Sequence, residues 1–450
     1  MAAESLTNDF CAALAAQAKE ELSAAVRGMA ERSLFNVLGT SIAASRYPAI
    51  EIAIAAGKLL GGAPTSPIPG RSELLDAYHA AIVTGLAAHI DDFDDTHLTT
   101  VIHPAASAMA TVLALGASQN VSGAVALRAF ALGCEAQLRL GVAISPWHYD
   151  VGWHITGTCG AIGAAVAASI VLGLEEEAFE NAVAISASTA LGQREAFGTM
   201  TKGFHAGQAA ANGILAALLA QQGFTGTKNA FEAPRGFFAV MTTQTRPEAF
   251  SQIGKRWELL ENTFKPYPCG VVAHPAIDAA IELSPQVHDP NAIASMMLRC
   301  NPLVPELMGT RDPQNGLQAR FSAVHGIAVG LADGRAGLPQ FSDDRAIAKG
   351  IARLRSLVQL DASDDIRRDE ARLTVKLSDG RELEAYVAHA RSSLERPFTE
   401  VELREKVRDL IEPVLPGATS TIEAAIRKLY ESPDIRVLVE AITAHAVAAV

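Results

Sequence analysis

Residues 262–275 read NTFKPYPCGVVAHP. The three prolines break helix, because Pro lacks an N–H to donate and clashes with the preceding turn. The texture of the chain changes here. On the N-terminal side, ERSLFNVLGTSIAAS (31–45), ELLDAYHAAIVTGLAAHI (73–90), HPAASAMATVLALGA (103–117), SGAVALRAFALGCEAQLRLGVAI (122–144) and GQAAANGILAALLAQQ (207–222) all space apolar residues three to four apart. That is the period of an amphipathic helix. On the other side, IASMMLRC (293–300) reads as a strand. In ARLTVKLSDGRELEAYVAHA (371–390), Leu373, Val375 and Leu377 alternate, then Asp379-Gly380, then Leu383, Ala385 and Val387 alternate again. This pattern predicts a hairpin with a primed turn. The segment FSAVHGIAVGLADG (321–334) between the strands is helical in period. After residue 396 the helical pattern returns, opened by a capping box of Thr399 and Glu402.

The expected fold is therefore mainly α with an α+β part. A large all-helical domain spans 1–264, completed by 396–450, and a smaller α+β lid spans 265–395. A chain of 450 residues is too long for one simple core, which agrees with two domains. Glu135 and Arg139 stand four apart and can pair on one helix face.

Composition narrows the functions. Apolar residues make up 49% and charged ones 19%, as in a globular protein. The net charge of −12 argues against nucleic acid and against an anionic membrane surface, both of which reward a cationic one. Five widely spaced cysteines without a C-x-x-C pattern read as reduced thiols rather than metal ligands. The start MAAESLTNDF lacks the basic segment of a signal peptide, and the apolar run 160–174 is short for a spanning helix. A cytoplasmic protein is the expectation.

Polar groups concentrate in a few places. DDFDDTHLTTVIH (91–103) follows an almost wholly apolar segment and holds Asp92, Thr96, His97 and His103. Asp and Thr favour helix ends, so a solvated cap accounts for part of this loop. Two histidines in it point to proton transfer, since His titrates near neutrality. Asp91, Asp92 and Asp95 also spell the D-D-x-x-D of a Mg²⁺-diphosphate clamp as in isoprenoid synthases, but such a clamp needs a second acidic cluster, and none is evident. His154 precedes a Gly-rich helix, Lys202 and His205 precede a small-residue helix, and Lys265 and His274 fall at the domain junction, where ligands prefer to bind.

Together these stretches resemble the MmgE/PrpD family over about residues 30–410. The resemblance rests on D-F-D-D-T (92–96) with H-P at 103–104, G-x-H-x-T-G-x-x-G (152–160), T-K-G-x-H-x-G (201–207), K-P-Y-P-C (265–269) with H-P at 274–275, and F-S at 321–322. It implies a homodimer that acts on small di- or tricarboxylates without a metal or organic cofactor. The implied catalytic residues are Asp92, His103, His154, Lys202 and Lys265, with Thr96, His97, His274 and His325 expected near substrate. Where family members often carry a Tyr, this chain has His325, which is expected to help set the reaction. The leading expectation is a lyase of the 2-methylcitrate dehydratase type. An iminodisuccinate epimerase comes next, then a cis-aconitate decarboxylase, with a Mg²⁺-dependent isoprenoid synthase or a carboxylate-binding module further off. The chemistry suits the residues. All three family reactions develop negative charge on a carbon beside a carboxylate, which calls for a base and for cations at that carboxylate.

Overall fold

The structure, a computed structural model, describes residues 5–443. Residues 1–4 and 444–450 of the expected helical domain lie outside the described residues. The protein is mainly helical, with a small mixed sheet in its C-terminal half.

Ala and Gly dominate the helical part because its helices cross closely. Ile155–Leu172 runs through the middle, packed by Pro104–Gln119, Gly123–Ile144 and Met200–Gln221. It is the one helix among the described residues long and apolar enough to cross a membrane, but 89% of its apolar stretch is buried inside the protein. It begins at Ile155, ahead of the apolar run read from sequence, and so reaches that length. One close crossing matters most for the site. Ala77–His89 lies against Met200–Gln221, and a Cβ on Gly207 would stand 2.1 Å from the Ile82 carbonyl oxygen. A Cβ on Gly203 would stand 2.9 Å from the Cα of Ile90. Only glycine permits either approach, and together they bring the end of one helix beside the start of the other. Glu135 and Arg139 pair as their spacing predicts, at 2.6 Å and inside the core.

The lid carries a four-stranded sheet in the order 358–362, 293–300, 371–377, 382–387. The first pair is parallel and the others antiparallel. Ala371–Leu377 alternates buried with less buried residues, so one face meets the core beneath helices His274–Leu283 and Ala323–Asp333. The hairpin forms, but its turn is not the primed one. Gly380 has φ 88° while Asp379 keeps a negative φ, and the Gly380 N–H donates to the Leu377 carbonyl. A type I turn closed by a left-handed glycine suits a three-residue loop, whereas a primed two-residue turn requires a positive φ at its first central residue, here Asp379.

The capping box forms as expected: Thr399 Oγ1 accepts from the Glu402 N–H, and Glu402 accepts from the Thr399 N–H. The helix it opens, Glu400–Ile411, packs on Ala24–Ala44. Leu403, Val407 and Ile411 join the same apolar core as Phe264 and Phe398, while Tyr267 to Val387 supply a second core around the sheet.

Candidate active site

The run 91–97 is not a plain loop between helices. Asp95–His97 forms a three-residue strand antiparallel to Asn262–Phe264, with Thr96 opposite Thr263. A strand this short leaves almost no periodic signal in the sequence. Its partner is the stretch that ends the helical half, so the pairing delivers Lys265 to the loop, and the Lys265 N–H reaches the Asp94 carbonyl at 3.4 Å. Asp92 adopts φ 51°, a left-handed conformation that Asp tolerates better than bulkier residues.

That turn aims the Asp92 carboxylate at two ammonium groups. Lys202, on the helix brought in by Gly203, pairs with Oδ1, and Lys265 pairs with Oδ2 at 2.7 Å. All three side chains are buried. Burial opposes ionisation of Asp92, but Lys202 and Lys265 outweigh it and hold its carboxyl well below the usual range. The two lysines thus share one carboxylate.

Four histidines line up beside it. His103 Nδ1 lies 2.6 Å from the Asp95 carbonyl oxygen and 3.2 Å from Asp94 Oδ1. Both are acceptors, so Nδ1 carries the hydrogen and Nε2 is left as a bare lone pair, 3.8 Å from Asp92 Oδ1. His89 donates from Nδ1 to Asp94 Oδ2 at 2.8 Å and stacks on His154 at 5.5 Å. His154 in turn meets His205, Nδ1 to Nδ1, at 2.9 Å. Burial lowers the pKa of His103, with Lys265 adding to the effect, and burial followed by Lys202 lowers that of His154 well below its usual value. Both rings are neutral at pH 7 and able to accept a proton.

Thr96 is buried, and among the described residues its Oγ1 has no partner. With Lys265 and His274 it borders a cavity of about 80 Å³ whose wall also includes Val272, Leu303 and Leu307. His274 contacts the Cys269 carbonyl oxygen at 3.3 Å. A cleft of about 990 Å³ lies between the two parts of the chain, with Trp153 and Arg194 on one side and Glu306 and Thr310 on the other, and Arg194 and Glu306 pair across it at 3.5 Å. Phe197 and Phe321 stack across it at 5.2 Å, and Phe197 presents its ring to His154 at 5.1 Å.

Two of the residues expected near substrate are not brought to this cluster. His97 faces the opposite way, because side chains alternate along a strand and Thr96 takes the cavity side. It bonds Thr100 at 2.9 Å and meets Glu258 at 3.3 Å. His325 is fully buried in the lid, with Nε2 donating to the Gln340 carbonyl at 2.9 Å and its ring against Phe341. Its Ala-Val-Gly helix packs on the lid core, which draws the ring inward.

The D-D-x-x-D carboxylates diverge rather than converge. Asp91 takes Arg320 of the lid and the Tyr47 hydroxyl, Asp92 takes the lysines, and Asp95 accepts from the Ala105 N–H at 3.3 Å and from Asn262. Among the described residues, His89, Asp94 and His103 hold ligand-type atoms within 4.8 Å of one another, a spacing their direct hydrogen bonds already explain. Residues that sequence reasoning left out include His89, Arg320 and Lys406. Lys406 donates to the Phe93 carbonyl at 2.7 Å from the far end of the chain. His89 ends an apolar helix and reads as a core histidine, while Arg320 and Lys406 carry no local pattern that marks them.

A helical body and an α+β lid thus meet at a buried carboxylate–lysine pair flanked by neutral histidines, an arrangement suited to acid/base chemistry. Residues 8–249 match the MmgE/PrpD N-terminal domain, and residues 267–431 match the MmgE/PrpD C-terminal domain. The chain belongs to the MmgE/PrpD family. Among curated proteins it is similar to human cis-aconitate decarboxylase, at 27% identity over 97% of this chain and 93% of that protein. The mouse cis-aconitate decarboxylase is 26% identical over the same shares of both chains. The Aspergillus terreus cis-aconitate decarboxylase is 27% identical over 61% of each.

Proposed function

We propose that this protein is a cofactor-independent lyase for a small di- or tricarboxylate, working by proton transfer beside a carboxylate. The observation that carries the reading is the convergence of Lys202 and Lys265 on the single carboxylate of Asp92. Each ammonium has three N–H donors and spends one on Asp92, which leaves donors for a second carboxylate, that of the substrate. Removing water or CO₂ next to a carboxylate pushes charge onto it, and preorganised cations there lower the barrier. His103 has the bare nitrogen of a general base, since its Nδ1–H is committed to the Asp95 carbonyl. His154 is the second acid/base group. Thr96, with an unpartnered hydroxyl, donates to a substrate carboxylate.

Within the lyases, the names of the relatives favour decarboxylation, while the motifs are common to the family and do not separate it from dehydration. An epimerase needs an acid or base on each face of the reacting carbon, and His325, expected to help set the reaction, is a candidate for one of them. Its bond to Gln340 in the lid core removes that argument. The magnesium-clamp alternative needs three convergent carboxylates, and those of Asp91, Asp92 and Asp95 have separate partners.

Proton NMR of EDTA-dialysed protein in D₂O, with 2-methylcitrate, citrate, cis-aconitate and iminodisuccinate, tests the reading. It expects one tricarboxylate to be consumed, with the signals of a dehydrated or a decarboxylated product. Inertness towards all four, or turnover restored only by Mg²⁺, defeats it.

A further inference from the structure

One polar contact in the site has no part in the chemistry so far. His154 Nδ1 and His205 Nδ1 lie 2.9 Å apart, a distance at which one ring donates and the other accepts. The pairing is built in by two glycines. A Cβ on Gly157 would stand 3.1 Å from the Cβ of His205, and one on Gly192 would stand 3.3 Å from its Cγ and Nδ1. Gly192 has φ 136°, a backbone that favours glycine, and its carbonyl accepts the His154 N–H at 2.9 Å. One loop thus fixes the His154 backbone and leaves a slot for the second ring. His205 is only half-buried, and its Nε2 bonds to nothing among the described residues, so the ring reaches from the enclosed His154 towards solvent. Among the described residues, no other side chain bonds to His154.

We propose that His205 is the positioning residue of His154 and its proton connection to solvent. The idea rests on the lyase reading. At rest, His154 donates its Nδ1–H to His205 Nδ1, which fixes His154 Nε2 as the free lone pair, and His205 carries its own hydrogen on Nε2. When His154 Nε2 takes a proton, the Nδ1 proton passes to His205 Nδ1 and the His205 Nε2 proton leaves to water. One proton enters and one leaves, and both rings finish neutral. The same path run backwards reloads His154 after it has given a proton up. A buried ring close to Lys202 does not hold an imidazolium charge well, so the connection relieves a real constraint.

Two substitutions separate the roles. His205→Phe removes both nitrogens, whereas His205→Asn sets an amide oxygen where Nδ1 accepts and has no second nitrogen to pass a proton on. Two-bond ¹H–¹⁵N correlation spectra of histidine-labelled protein read the His154 tautomer without any substrate. The expected result is a single tautomer protonated at Nδ1 in the wild type and in His205→Asn, and a mixture in His205→Phe. An unchanged His154 tautomer in His205→Phe overturns the proposal. On the carboxylate that the wild type consumes, both variants should lose about tenfold in kcat with little change in KM, and added imidazole should restore the rate in a concentration-dependent way. Unaltered kcat, or a loss that imidazole fails to restore, also overturns it. If the wild type consumes none of the four carboxylates, the lyase reading fails, while the tautomer measurement still decides whether the two rings are coupled.

Discussion

At the scale of single residues, charge in the site is set by what each carboxylate touches. Asp92 is held ionised by two lysines, whereas Asp95, buried and close to Asp94, has its pKa pushed up to about 8 and is protonated at neutrality. A folded-state pKa raised above the unfolded value of 3.8 stabilises the fold at low pH, and that contribution is lost as pH rises towards 8. Asp95→Asn removes this loss while keeping an acceptor for the Ala105 N–H. The melting temperature of the variant, relative to wild type, is therefore expected to climb as pH is raised from about 4 to about 8. A difference independent of pH would mean that Asp95 is ionised throughout. His97 and His325 show where residue-level reading stops. Each is a histidine in a polar motif, and each is spent on a structural bond, to Thr100 and to Gln340. Sequence indicates residue type and neighbourhood, but not which face of a short strand or helix points inward.

At the scale of elements, the site depends on two helices meeting without side chains between them. The T-K-G-x-H-x-G motif supplies Lys202 and also the glycines that let its helix approach Ala77–His89. Gly207→Ala sets a methyl against the Ile82 carbonyl, and overpacking of this kind costs about 1–3 kcal/mol. Urea unfolding should show that loss, with kcat falling as well because Lys202 moves off Asp92; full activity in a destabilised variant would detach the crossing from the site. The Thr399–Glu402 box is a separate, purely structural device. Thr399→Ala should cost about 1 kcal/mol in the same assay. Long helices, the hairpin and this cap were legible because each has a period or a fixed spacing. The strand Asp95–His97 was not, since three residues cannot display alternation, and its partner lies over 160 positions away, as with Thr96 and Thr263. The hairpin turn was misread because Asp-Gly fits two turn types, and the sign of φ at Asp379 decides between them.

At the scale of the molecule, the loop 91–95 is where distant parts of the chain meet. Arg320 of the lid pairs with Asp91, Lys406 near the C-terminus holds the Phe93 carbonyl, and Lys265 at the junction meets Asp92. The motifs foretold that Lys202 and Lys265 come from either side of a texture change; only the fold brings both to one carboxylate. The cleft is already bridged by the Arg194–Glu306 ion pair and the Phe197–Phe321 stack, and the arrangement predicts that a bound tricarboxylate draws the two parts closer still. Small-angle scattering should record a smaller radius of gyration and hydrogen exchange should slow at 265–275, whereas no change in either would speak against a site in the cleft. The central claim is that polycarboxylate chemistry runs on the paired lysines, and the most direct measurement is the NMR turnover rate of Lys202→Met and Lys265→Met beside wild type, on the carboxylate that wild type consumes, with circular dichroism as a check of folding. Each folded variant is expected to lose about 10²–10³-fold in kcat/KM. A folded variant of either lysine with wild-type turnover would contradict the account.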